Sequence, residues 1–334
     1  MKVLALIENV EDVSYRYRLE AFAWALSEKD LFLEAVPVGR NWLRRVARLM
    51  AVVRADVVIL QCNLLSHLQL AALRQLAGCL IYDLDSLPEA SDPRELAPLR
   101  NAVREADAVV VGNDYLRLHV SAYTDPWRVH VVPTCIEPSW HRPAVHHRST
   151  PAPRIVAIGL DASPGAAVHL AAVREKLPGA SFQTAGGQDP KDADIAVSWL
   201  PENASGMGQC GLEVLQAMAA GLPIVANPVG VHRDMVIHGT TGLWAATPSQ
   251  SAEAVKLLAV DPQLRSRLAV AGRRRVEEFY SVQHWQGHFA GLVHATAHRL
   301  PFSPSTEPLR QPTARQTTKH GQYGMESPLP PGEG

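Results

Sequence analysis

Short, unbroken apolar runs alternate along this chain with stretches whose apolar residues recur every three or four positions. Residues 3–7, 31–37, 57–61, 79–82, 108–111 and 129–132 are of the first kind and read as strands. Residues 15–27, 41–53, 65–76 and 95–105 carry the helical period, with Leu19, Phe22, Ala23 and Leu26 marking it in the first of them. Continuous apolar strands separated by helices predict a parallel sheet covered on both faces. The pattern breaks at residues 141–153, HRPAVHHRSTPAP, whose prolines and histidines read as an interdomain linker. It then restarts. RIVAIGLDA is a strand entering a Gly turn, residues 166–176 form a helix, and 181–184 and 195–198 are strands. SAEAVKLLA and PQLRSRLAVAGRRRVEEFY are two further helices, and Ser281 can N-cap a last one over VQHWQGHFAGLVHATAHRL. From residue 301 the composition collapses into Pro, Ser, Thr and Gln, so disorder is expected for residues 301–334.

Two doubly wound units therefore follow one another, residues 1–140 and 154–280, with a final helix at 281–300. A length of 334 residues suits this, at about 150 residues per domain. Ligands of such sheets sit at the carboxyl ends of the strands, so two facing units make a cleft. A formal net charge of −1 gives no basic field for nucleic acid. Cys62, Cys79, Cys135 and Cys210 are far apart, without CxxC spacing, which fits free thiols in a reducing compartment. The opening MKVLALIENVED reads as a first strand rather than a signal peptide, and no segment reaches the roughly 20 apolar residues of a membrane span. A cytoplasmic protein is expected.

The densest chemistry lies in GQCGLEVLQAMAAGLPIVANPVG, residues 208–230. Gly208, Gln209, Cys210 and Gly211 precede a helix beginning at Leu212. Free amides and the dipole make such a helix start an anion site. Leu212, Leu215 and Ala219 are expected to face the sheet, and Glu213, Gln216 and Ala220 to face away from it. A second turn, ending at Gly230, leads to a helix with Asp234 in its first turn. Glycine usage alone fits a phosphate-binding turn and an ordinary βα loop equally.

The run from Gly208 to Trp244 resembles the nucleotide-sugar signature of family 4 glycosyltransferases. SYRYR, IYDLDSL, ADAVVVGNDYL and VHVVPTCIE in the first unit look like a bacterial, envelope- or exopolysaccharide-type branch, and the resemblance spans most of residues 1–295. It implies the GT-B fold, two Rossmann-like domains with the last helix crossing back to the first. It implies sugar transfer from a nucleotide sugar to a glycan or lipid-linked acceptor, with retention, without metal, and with no cofactor beyond that co-substrate. Gly208, Gln209, Cys210, Gly211, Leu212, Gln216 and Gly230 would hold the donor; no catalytic residue is assigned. Three departures stand out. Many relatives carry two Glu with seven residues between them, where this chain has Gly208 and Gln216. Gln216 can still bond ribose hydroxyls, whereas Gly208 cannot replace an acid. The phosphate clamp is missing, since GLDASPGAAVHL has no cation. Only six residues, QDPKDA, separate Gly187 from Asp194, too few for the usual extra strand and helix. Weak donor binding is therefore expected, and a non-catalytic glycosyltransferase-like subunit is the alternative. An epimerase of the same fold would need cleft acids that cannot be placed.

Other residues have two readings each. Asp83 and Asp85 form a DxD that suits a hard cation, but a polar strand exit facing the cleft is the preferred reading. Arg16 and Arg18 either meet an anion in the cleft or are solvated. Asn113 and Thr134 end strands and are cleft candidates. A metal at His141, His146 and His147 is not expected. The helix over residues 41–53 sets Arg44, Arg45 and Arg48 across from an apolar face. It fits a sheet-packing helix, or peripheral contact with an anionic inner membrane face.

Overall fold

In a computed structural model, the structure describes residues 1–38, 52–62, 65–88, 93–144, 146, 152–158, 164–184 and 192–302. The expected helix over residues 41–53, the loop after residue 158, most of QDPKDA, His147 and the tail from residue 303 lie outside them.

The first unit is built on six parallel strands, β1 (Lys2–Ile7), β2 (Phe32–Pro37), β3 (Val57–Gln61), β4 (Leu80–Leu84), β5 (Ala108–Val111) and β6 (Val129–Val131), in the order β2-β1-β3-β4-β5-β6. Its interior strands β3, β4 and β5 are buried along their whole length, as unbroken apolar runs require. Helices α1 (Val13–Arg18), α2 (Ala23–Ser27), α3 (His67–Leu76), α4 (Ala97–Glu105) and α5 (Asp114–Val120) cover it. The helix expected over residues 15–27 is broken. Tyr15 and Leu19 are buried in the first unit's core, Tyr17 is buried in the second unit's core, and Arg18 is buried between them, so α1 is covered on more than one side. The chain resets through Leu19 (φ −123°) and a 3₁₀ turn at Glu20–Phe22, which brings Phe22 and Leu26 back onto the sheet.

The second unit has five parallel strands among the described residues, β7 (Arg154–Ile158), β8 (Ser181–Thr184), β9 (Ile195–Ser198), β10 (Ile224–Ala226) and β11 (Gly242–Trp244), in the order β11-β10-β9-β7-β8. Helices α6 (Pro164–Lys176), α7 (Ala204–Met207), α8 (Leu212–Ala219), α9 (His232–Met235), α10 (Pro248–Val260) and α11 (Pro262–Phe279) complete it. Helix α9, the one expected after Gly230, is a single turn with Asp234 in it.

Two connections join the units. The last helix, α12 (Val282–Ala297), is capped by Ser281, whose hydroxyl accepts from the His284 amide. It lies on the first unit, where Trp285, Phe289, Leu292 and Val293 share a core with Val3, Leu19, Phe22 and Ile59, and Phe289 stacks on Phe22 with ring centroids 4.7 Å apart. The other connection is the Pro-rich segment from His141, whose described residues pack closely on the second unit. His141 and His146 are buried; Ala144 donates its amide to Ala220 O at 2.8 Å, and His146 Nε2 bonds Gly221 O at 2.8 Å. The segment is consumed in satisfying the open carbonyls at the end of α8. For the same reason Ala220, expected to face outward, is fully buried. Arg273 of α11 completes the joint, donating to Pro138 O, His141 O and Ala219 O.

Candidate functional site

The carboxyl ends of the two sheets face each other. From the second unit, the loop Gly208–Gly211 and the start of α8 reach the segments that follow β1, β4 and β5 of the first. Asn113 N-caps α5 by accepting the Leu116 amide, and it donates Nδ2 to Gln209 O at 3.1 Å. Gln216 is half-buried and donates Nε2 to Tyr17 Oη at 3.2 Å. Gln216 thus sits on the side of α8 that meets the first unit, while Leu212, Leu215 and Ala219 are buried in the second unit's core.

The glycines have packing reasons. Gly211 is left-handed (φ 70°), and a Cβ there would lie 2.7 Å from Met235 Sδ and 2.9 Å from Val231 Cγ2. Gly230 is also left-handed (φ 51°), with Gly206 O 2.9 Å from where its Cβ would be. Gly208 abuts the first unit, since a Cβ would meet Leu87 Cγ at 3.2 Å and Ala204 O at 3.2 Å. With Gly211 as N-cap, no side chain caps the start of α8. Burial pushes the neighbouring Cys210 thiol up to about 12; Asp85 adds to this, and the Leu212 amide opposes it.

Beneath this seam lies a polar network. Arg18 is 3% exposed and Asp83 1%, and they pair with Arg18 Nη2 2.6 Å from Asp83 Oδ1 and Nε about 3 Å from both carboxylate oxygens. Arg18 also donates to Val132 O at 3.0 Å and Thr134 Oγ1 at 3.4 Å, and Gln61 Nε2 donates to Asp83 Oδ2 at 3.2 Å. Burial opposes the Arg18 charge, but the Asp83 carboxylate outweighs it and holds the guanidinium above its ordinary pKa. Arg18 is therefore not a cleft cation, and Thr134 serves it rather than a ligand. Asp85 accepts from Ser14 Oγ, Cys62 Sγ (3.1 Å) and Ser86 Oγ (3.0 Å). Both acids of the DxD lie at the strand exit but, instead of facing the cleft as expected, are buried and engaged internally, Asp83 because Arg18 turns inward to pair with it. Cys62 holds its place with φ 48°, an unusual backbone for a residue with a Cβ. Among the described residues no three His, Cys, Asp or Glu converge as metal ligands.

Sequence reasoning overlooked Tyr17, Leu87 and a fully buried set at the ends of β9 and β10. His232 is 0% exposed; its Nε2 lies 3.1 Å from Ser198 Oγ and its Nδ1 3.0 Å from Asn227 O. Asn227 in turn pairs with both backbone groups of Leu200. The set ties together the two loops that bracket the start of α8. Burial lowers the His232 pKa to about 4, the Asn227 contact opposing it. Between about pH 6.5 and 4 the unfolded chain then binds a proton that the folded chain refuses, so stability falls as pH falls through that window. The expected loss from this residue is about 2 kcal/mol by pH 5 and about 3 at pH 4. Urea titrations at pH 7 and 5 check it, with the wild type showing a larger difference than His232→Gln.

These features define a class. The architecture is GT-B, two facing parallel-sheet α/β domains with a returning last helix. It is shared with the Anabaena protein HepE, solved in complex with UDP and glucose (TM-score 0.64, 14% identity, 88% of this chain and 100% of that one). It is also shared with sucrose-phosphate synthase from Thermosynechococcus elongatus (0.63, 16%, 89% and 96%) and with the lipopolysaccharide outer core galactosyltransferase WaaB (0.62, 12%, 88% and 99%). At such identities the likeness is one of fold. In sequence, residues 194–275 match the family model for glycosyl transferases group 1, a span that includes α8 with both its flanking loops, the Ser198–Asn227–His232 set and α11 as far as Arg275.

Proposed function

We propose that the chain is a glycosyltransferase that takes a sugar from a nucleotide sugar. The observation that carries this reading is the uncapped start of α8, turned toward the first unit with Gln216 beside it, inside the segment matched by the group 1 model. Residues 154–280 are the donor domain and residues 1–140 the acceptor domain. The segment Gly208–Leu212 takes the leaving diphosphate through its Cys210, Gly211 and Leu212 amides, since those of Gly208 and Gln209 already donate to Ala204 O and Gly206 O, with the helix dipole stabilising developing charge. Gln216 takes the ribose hydroxyls, exchanging Tyr17 for them. Transfer with retention, without metal, to a glycan or lipid-linked acceptor of envelope synthesis rests on the family resemblance. Solved proteins of this fold that are described as bound to UDP or UDP-glucose support the donor class. No described helix is long and apolar enough to cross a membrane, and contact with an inner membrane face is a proposal about residues 41–53.

The test is calorimetry with UDP, GDP and their sugars, followed by a product assay with glycan acceptors. Gln216→Ala is expected to weaken nucleotide-sugar binding about five- to tenfold, the worth of a hydrogen bond or two, while Tyr17→Phe leaves it near wild type. Equal affinity in Gln216→Ala would remove the ribose role. One observation favours a second reading, a non-catalytic partner subunit. The position of the relatives' first Glu is Gly208, packed so closely on Leu87 and Ala204 that a side chain there requires its neighbours to give by a few tenths of an ångström. Absence of binding to any nucleotide would select that reading.

A further inference from the structure

The chain does not leave the first unit when α12 ends. Arg299 takes a left-handed backbone (φ 53°) and donates its amide to Thr296 O at 3.1 Å, and the Leu300 amide donates to Ala295 O at 2.9 Å. Glycine usually makes this reversal, so an arginine there is strained and persists only where its surroundings hold the turn. Phe302 provides the hold. The chain doubles back along α12, and the Phe302 ring meets His288 and His130 edge-on, with centroids 5.1 and 5.5 Å away. A Cβ on Gly291 would rest 3.4 Å from Phe302 Cε2, which gives that glycine a packing reason.

Gly287, one turn nearer the start of α12, has no such reason. It is exposed, and among the described residues a Cβ there would meet nothing within 4 Å. A glycine inside a helix weakens it relative to alanine, and its use is the close approach of other groups. The open space belongs to a groove of about 750 Å³ between the end of α2 and the first half of α12. Glu28, Lys29, Gln283, Gln286 and Gly287 line it, and so does His288, the residue on which Phe302 is seated. The returning chain is therefore delivered to the groove, heading along it. Gln283 lies about 12 Å along α12 from Gly291. An extended chain covers about 3 Å per residue, so residues 303–306 suffice to span that length. The sequence after Phe302 is SPSTEPLR. Pro304 and Pro308 favour an extended polyproline course with little entropy left to lose, and the Ser and Thr hydroxyls match the Gln283 and Gln286 amides.

We infer that residues 303–308, which lie outside the described structure, form a strap. It continues the course of Phe302, crosses α12 over Gly287 and occupies the groove against α2. Its effect is to fasten the last helix to the first unit, and it is independent of the donor reading. Full-length chains test it: the wild type, Gly287→Gln, a Gly/Ser replacement of residues 303–308, and the two changes combined. Replacing the strap is expected to lower the melting temperature by about 2–4 °C. Gly287→Gln should raise the melting temperature in the replaced chain, where only the better helix propensity of glutamine acts. With the native tail it should lower it or leave it unchanged, because the new side chain fills the groove. Trypsin should cut after Arg310 several-fold faster in Gly287→Gln than in the wild type, with cleavage after Arg315 unchanged. Gly287→Gln acting equally with both tails overturns the strap and leaves the groove to a second copy or another partner. Equal cleavage after Arg310 in wild type and Gly287→Gln overturns it as well.

Discussion

Arg18→Leu is expected to destabilise the protein by about 3–5 kcal/mol, because it leaves Asp83 charged, buried and without its counterion. The Arg18–Asp83 pair is among the most enclosed features of the first unit, with both side chains at 2% exposure or less. Desolvation makes each partner costly alone. The double variant Arg18→Leu/Asp83→Leu should recover much of the loss, since apolar substitution of a whole buried pair is often near neutral. Urea unfolding of the wild type, the single and the double variant measures this. A single variant within about 0.5 kcal/mol of wild type would mean that the pair is solvated. A double variant no better than the single would assign the cost to the contacts with Val132 O, Thr134 and Gln61 rather than to charge.

The second large effect is expected at Phe289. Its ring is 1% exposed and stacked on Phe22, so Phe289→Ala should cost about 3–5 kcal/mol through lost burial and the cavity left behind. Because Phe289 lies at the far end of the sequence, the loss should appear in the first unit. Amide exchange in β1 and β3 should accelerate more than in β9 and β10. Equal acceleration in both sheets would show that the two units unfold as one. Phe289→Leu should cost less than half as much.

The sequence displayed most of the framework because burial on both faces leaves a plain mark. The strand at 108–111 and those at 181–184 and 195–198 lie where the apolar runs placed them. The run 15–27 misled because the spacing of Leu19, Phe22, Ala23 and Leu26 fits one continuous helix, whereas the chain breaks at Leu19 into α1, a 3₁₀ turn and α2. In the Pro-rich segment, composition gave no sign that Ala144 and His146 would bond the carbonyls at the end of α8, because that need arises only once α8 is folded beside it. Within the site, the orientation of Gln216 was legible from the spacing of Leu212, Leu215 and Ala219. Whether Arg18 or Arg16 is free was not legible. That depends on Asp83, which is 65 residues away in sequence and adjacent only once β4 lies beside β3. Tyr17 left no signal either, since its partner Gln216 is 199 residues distant.

Helix α12 also bears on how the chain is made. The core around Val3, Leu19 and Phe22 is completed by Trp285, Phe289 and Val293, which are translated after the whole second unit. At about 5–20 residues per second, on the order of ten seconds or more pass between synthesis of β6 and of Val293. During that interval the first sheet leaves the ribosome with one face covered only in part, by the residues from Tyr15 to Leu26. The second unit, by contrast, has all its strands and core helices before α12 is made. Order of synthesis and order of completion are thus reversed. The N-terminal half is the part that depends on shielding by chaperones, and a nascent chain stalled before residue 282 exposes the apolar surface that the last helix is built to cover.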